Sequence, residues 1–434
     1  MKKHEFIMQN KTEKRIRVRR ALAGILSVFF FAEAVLLPLG NVTDVFAGGN
    51  PEEDKAVISD ISETTRATVT SESLAISSES VILMEMESGT VIMEKDADKA
   101  RPIASVTKIM TLLLIAEAID SGKIKLTDTV TVSEHAASMG GSQVFLEPGE
   151  TQNAETMIKC ICISSANDAC VAMAEHLAGS ETAFVEQMNT KAKALGMTNT
   201  TFYNCCGLDI SGHVSCARDV ALMSAELMKN HEWITKYTTT WMDTIIHTTR
   251  RGDSEFGLAN TNKLLKQYNG ITGLKTGSTD EAKYCLSATA ERNGVKLVAV
   301  VLAAPDTKTR FREAATLLDY GFAKCVVYKD NGEKMPLEEV EIVNGQQNTA
   351  KIQLKTPFVH IFTGGEDLSL VKQELILKKK IEAPLKTGDI VGEYRYSLNG
   401  FFLGSIDIIS KENVEKNTFG ACFFKCTKVF LGKM

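Results

Sequence analysis

Ser105 and Lys108 stand three residues apart in the run Ala104-Ser105-Val106-Thr107-Lys108. On a helix that spacing puts both side chains on one face. A serine hydroxyl attacks acyl carbon well only when a base takes its proton. A lysine can be that base if its amine is neutral, and burial or a second nearby cation favours the neutral form. The surroundings offer burial: Val106, Ile109, Met110, Leu112, Leu113, Leu114, Ile115 and Ala118 leave residues 105–119 nearly without a polar face. Such a helix belongs in the middle of a domain. A polar Ser and Lys at its start need a reason, and acyl transfer supplies one. The helix N-terminus also offers backbone N–H groups to developing negative charge.

Alone, S-x-x-K is a weak signal. Two later motifs strengthen it: Ser165-Ala166-Asn167 and Lys275-Thr276-Gly277, the latter before an extended run. Ser165 can relay a proton to a leaving group, and Asn167 can hold a substrate amide with its donor and its acceptor. The competing reading is an N-cap, because Ser, Asn and Asp before a helix commonly cap it. Lys275 can supply the second cation. Gly277 has no side chain, so a substrate can lie along this strand edge, with the N–H of Ser278 as an oxyanion donor beside that of Ser105. Thr276 and Arg310 can bind a terminal carboxylate; Arg312 competes with Arg310 for that task.

These residues need a scaffold. Val81–Met84 and Thr90–Met93 flank Glu87-Ser88-Gly89 and read as a hairpin. Helical patterns then dominate to about residue 230, including 154–177 and 182–195. Strands return at 283–290 and 296–303, and 310–321 reads as a closing helix. Strands, then helices, then strands predict an α/β domain whose antiparallel sheet is covered by helices, over 76–328. Beyond it, short extended segments separated by Gly, Asn, Pro and Asp predict a small all-β sandwich domain over 329–412.

The ends carry their own signals. Lys2, Lys3, Lys11, Lys14, Arg15, Arg17, Arg19 and Arg20 precede an apolar stretch, and Val45-Phe46-Ala47 offers a cleavage site, so 1–47 reads as an export signal. An uncleaved anchor is the alternative, and either places the body outside the cytoplasm. Residues 48–75 are polar and rich in Ser, Thr and Glu, a linker. In 413–434, Phe419, Cys422, Phe423, Cys426 and Phe430 fall on one helical face with Lys425 and Lys428 opposite. That amphipathic tail suits a membrane surface; packing against the β domain is the rival. A net charge of −5 gives no hint of nucleic-acid binding. The ten cysteines include no C-x-x-C pair, so no metal site is expected, nor any cofactor. Most of the thiols are expected to be unpaired and buried.

The three motifs in this order occur in β-lactamases and penicillin-binding proteins. Residues 80–322 resemble the low-molecular-weight penicillin-binding proteins that are D-alanyl-D-alanine carboxypeptidases. The resemblance rests on Arg101–Lys108, Ile163–Ala169, Gly207–His213 and Gly273–Gly277, with the closing helix from Arg310, the small β domain and the tail. It implies a peptidoglycan stem pentapeptide as substrate, loss of its terminal D-alanine through a serine acyl-enzyme, and inhibition by β-lactams. It implies Ser105 as nucleophile, Lys108 as base, and Ser165, Asn167 and Lys275 in proton relay and positioning. Ser278 departs from the bulkier residue many members carry there. His213 reads as structural. A β-lactamase would need a glutamate to activate water, and Glu186-Gln187-Met188-Asn189 lacks the spacing for it. A cross-link endopeptidase and a non-catalytic wall-binding protein are the remaining alternatives.

Overall fold

The computed structural model describes residues 74–249 and 252–421, with 423 and 427. The expected export signal and nearly all of the expected linker lie outside them. The first domain contains β1 (Ser80–Glu85), β2 (Val91–Lys95), β3 (Met242–Thr249), β4 (Gly252–Ala259), β5 (Ile271–Thr279), β6 (Lys283–Arg292) and β7 (Val295–Ala304). Its main helices are α1 (Lys108–Asp120), α2 (Ala154–Ser164), α3 (Asn167–Ala178), α4 (Glu181–Ala194), α5 (Ala217–Asn230) and α6 (Thr307–Lys324). One antiparallel sheet runs β2-β1-β7-β6-β5.

The central strands are continuously apolar because both their faces are covered. Val81, Leu83, Leu297 and Val301 pack with Phe311, Ala314, Leu317 and Leu318 of α6. The alternate residues Ile82, Met84, Val298, Val300 and Leu302 join the core of the helical layer, which holds α1, α2, α3 and α5. Strand alternation thus divides one sheet between two cores.

Three expectations shift. The helix expected over 105–119 begins as a 3-10 turn, Ala104–Thr107, and becomes α-helical only from Lys108. The helix expected over 154–177 is two helices, because Ser165 adopts left-handed backbone (φ 59°) between α2 and α3. The hairpin β3–β4 lies in a stretch for which no strands are expected. Its residues are mostly exposed, so its apolar alternation is weak.

The second domain contains β8 (Val326–Asp330), β9 (Glu339–Glu341), β10 (Thr349–Leu354), β11 (Phe358–Phe362), β12 (Val371–Leu377), β13 (Ile390–Leu398) and β14 (Phe401–Ser410). Five of them form the sheet β9-β10-β14-β13-β12, while β8 pairs with β11 across the expected boundary at 328. A separate core unites Val340, Ile352, Phe358, Val391, Tyr396 and Ile408. Eight cysteines among the described residues are unpaired; all but Cys325 are buried.

Candidate active site

Ser105 lies in the 3-10 turn and Lys108 opens α1, so the two stand one turn apart on consecutive helical segments. Lys108 Nζ is 2.9 Å from Ser105 Oγ. It also reaches Asn167 Oδ1 at 2.6 Å and the carbonyl oxygen of Cys206 at 2.7 Å. Lys108 is fully buried. The two carbonyl-type oxygens can only accept. They therefore hold two amine hydrogens and leave the third direction of the nitrogen to the serine hydroxyl.

The Cys206 carbonyl is placed by a loop. Asn204 Oδ1 accepts from the N–H groups of Cys206 (3.2 Å), Gly207 (2.6 Å) and Leu208 (3.1 Å). Gly207 has φ +86°, and a Cβ there would lie 1.9 Å from the Ala104 carbonyl oxygen. The loop thus presses on the turn that carries the serine. Neither Asn204 nor the Cys206 carbonyl stands out in the sequence; the only signal for them is Gly207.

The N-cap reading of Ser165 and Asn167 does not hold. Ala166 occupies the N-cap of α3, and no side chain caps that helix. Asn167 instead uses its Oδ1 for Lys108 and its Nδ2 for the Gly140 carbonyl at 2.7 Å. Both ends of the amide expected to hold substrate are engaged within the protein. Ser165 Oγ is buried and has no hydrogen-bond partner.

Lys275, Thr276 and Gly277 lie within β5, the edge strand, not before an extended run. Lys275 is buried and donates to the Thr276 carbonyl at 3.0 Å. Burial, and then the charge of Lys108, hold its amine well below the ordinary lysine range. An arriving carboxylate would push it back up. A Cβ on Gly277 would come within 2.8 Å of the Ile103 oxygen and 2.9 Å of Ser105 N, so this glycine lets β5 lie directly on the serine turn. Ser278, the next residue on this edge, is exposed. Thr276 Oγ1 bonds Thr261 Oγ1 at 2.6 Å.

Arg310 is buried, and its Nη1 donates to the Gly277 carbonyl (2.9 Å) and the Cys285 carbonyl (3.3 Å). It therefore braces β5 against β6, with Nε unpartnered. Arg312 is exposed and reaches the Thr309 hydroxyl at 3.3 Å and Glu313 at 3.8 Å. His213 is structural. Its Nδ1 accepts from the Tyr203 N–H at 3.1 Å, so Nε2 carries the proton toward Thr107 Oγ1 at 2.8 Å. Burial pushes this imidazole down to about 4. Glu186 is exposed on α4, and Asn189 bonds the backbone of Phe202, so that segment supplies no water-activating glutamate to the cleft.

Residues 66–306 match the family model described as D-alanyl-D-alanine carboxypeptidase, and 322–416 match that of the penicillin-binding protein 5 C-terminal domain. The chain is 43% identical over 346 residues to D-alanyl-D-alanine carboxypeptidase DacF of Bacillus subtilis, covering 80% of this chain and 88% of that protein. It is 34% identical to the carboxypeptidase DacC of Escherichia coli, over 81% of this chain and 87% of that one. Penicillin-binding protein 5 of Haemophilus influenzae superposes with a TM-score of 0.61 at 30% identity, over 79% of this chain and 98% of that one. With the first model spanning more than half of its length, the chain belongs to the D-alanyl-D-alanine carboxypeptidase family of serine peptidases.

Proposed function

We propose that Ser105 carries the family's reaction on this chain: hydrolysis of the terminal D-alanyl-D-alanine bond of peptidoglycan stem pentapeptides through an acyl-enzyme. The observation that carries it is the buried Lys108 amine, held by Asn167 and Cys206 and 2.9 Å from Ser105 Oγ. Ser105 Oγ attacks the carbonyl carbon of the penultimate D-alanine and gives its proton to Lys108. The N–H groups of Ser105 and Ser278 receive the oxyanion. When the C–N bond breaks, the proton passes through Ser165 to the departing amine. Water then cleaves the ester. Lys275 and Thr276 receive the substrate carboxylate, with Arg310 stiffening the strand behind them. A β-lactam acylates the same serine when its ring amide opens.

Export by residues 1–47 puts the enzyme on the outer face of the cytoplasmic membrane, with the catalytic domain first and the β domain, from β8 at Val326 to Val414, second. The tail supports attachment there: Phe419 and Phe423 are 89% and 59% exposed rather than packed on the β domain.

Fluorescent penicillin should label the protein, and Ser105→Ala should abolish the label. Persistent labelling of the folded variant would overturn the assignment. Incubating the enzyme with a stem pentapeptide and with a cross-linked dimer, and following D-alanine by mass spectrometry, separates the carboxypeptidase from an endopeptidase. Release from the free pentapeptide is expected to dominate.

A further inference from the structure

The segment 140–146 is clamped to the start of α3 by two adjacent residues. Asn167 takes the Gly140 carbonyl with its side chain and the Ser142 carbonyl with its backbone N–H, each at 2.7 Å. Asp168, fully buried, accepts from the N–H of Val144 and of Leu146, both at 3.1 Å. Burial holds this carboxyl above the ordinary aspartate range, and the backbone N–H groups oppose that rise. Val144 and Leu146 point into the core. Phe145 between them has φ +63°, a left-handed backbone that bulky side chains rarely adopt. Its ring is 64% exposed and meets the edge of Phe256 on β4 at 6.0 Å between centroids. Behind that ring, Phe256 packs on His247, which is bonded to the buried Glu150 at 2.9 Å. A buried carboxylate and a hairpin thus hold one large apolar ring in solvent, against both backbone preference and the hydrophobic effect. Such an outlier points to function.

We propose that Phe145 is a specificity-determining residue, an apolar platform for the aliphatic side chain of the substrate residue that precedes the two D-alanines. The inference rests on the catalytic reading above. Reach supports it. Ser142 is tied to Asn167, which touches Lys108, and three residues of chain carry Phe145 at most about 10 Å further. The residue before the two D-alanines sits one residue, about 3.5 Å, upstream of the scissile carbonyl, and its extended four-carbon side chain reaches about 6 Å further, so its tip covers a similar distance. The partner chemistry is a long alkyl side chain, whose methylenes gain by leaving water.

The test compares diacetyl-L-lysyl-D-alanyl-D-alanine with acetyl-L-alanyl-D-alanyl-D-alanine, using the full chain. In Phe145→Ala, kcat/KM for the lysyl peptide should fall about tenfold, the loss expected from about two buried methylenes, and the change should lie in KM. The preference for the lysyl over the alanyl peptide should shrink by the same factor, and Phe145→Leu should restore most of it. The rate of penicillin acylation reports that the variant is folded. Equal losses on both peptides, or no loss on either, would overturn the proposal. If the wild-type enzyme releases D-alanine from neither peptide, the catalytic assignment itself fails and takes this inference with it.

Discussion

Lys108 has three polar neighbours and no solvent, so its replacement is a sharp probe of proton transfer. Arginine keeps a charge but does not release its proton in proteins. Lys108→Arg should slow penicillin acylation by about 10²–10⁴-fold, the range for loss of a general base. Acylation near the wild-type rate would send the proton elsewhere. His213 gives a second residue-scale expectation. Its folded-state value is depressed from 6.5 to about 4, so the unfolded chain binds the proton first as pH falls. The contribution to stability is complete above pH 6.5 and is lost as pH drops to 4, at most about 3 kcal/mol. Denaturant titrations of wild type and His213→Gln should converge in stability over that window, because glutamine has no proton to gain. A wild-type advantage constant from pH 7 to 4 would refute the assignment.

Among the elements, the contact between β5 and the serine turn is the most exacting. A Cβ added to Gly277 would lie 2.8 Å from Ile103 O, 2.9 Å from Ser105 N and 3.0 Å from Val106 N, three backbone atoms at that turn. Backbone cannot step aside as a flexible side chain can. Gly277→Ala should therefore destabilise the domain by about 1–3 kcal/mol, the usual cost of overpacking. It should also lower the acylation rate, because it parts the two proposed oxyanion donors. Gly89→Ala is the contrast: the turn between β1 and β2 has φ +73° but open space around it. Only the left-handed strain of about 1 kcal/mol is expected there, with acylation unchanged. Urea midpoints and penicillin labelling of the pair distinguish a close approach from a simple turn requirement.

For the whole molecule, the second domain has a core of its own, with members from Val340 to Val414, and the active site belongs to the first domain. The expected start of the tail at 413 is too early, because Val414 lies in that core and Lys416 pairs with Gly345. Deleting residues 418–434 should therefore release the signal-cleaved protein from membranes while it still hydrolyses a soluble peptide. Lys425 and Lys428 should make attachment tighter on anionic lipid and weaker in high salt. If the truncated protein stays on the membrane after signal cleavage, the tail is not the anchor. If it unfolds, the tail packs on the β domain.

Local spacing determined much of this protein. Three short motifs in a fixed order pointed to the proposed nucleophile, the proposed base and the strand beside them, because each motif spans only a few residues. Short extended segments between turn residues likewise announced the strands of the β domain, among them β10, β11, β13 and β14. What the tertiary structure decided depends on distant pairs. Lys108 and the Cys206 carbonyl are 98 positions apart, and Lys108 and Asn167 are 59 apart. No periodicity encodes a backbone carbonyl as a partner, so the loop held by Asn204 was invisible. The break at Ser165 was hidden for a related reason: the apolar pattern continues through it, and only the clamping of 140–146 by Asn167 and Asp168 shows why the helix must restart there. Arg310 was legible as a cation near the site. That it braces two strands instead of facing solvent followed only from the carbonyls of Gly277 and Cys285, which the sheet register brings side by side.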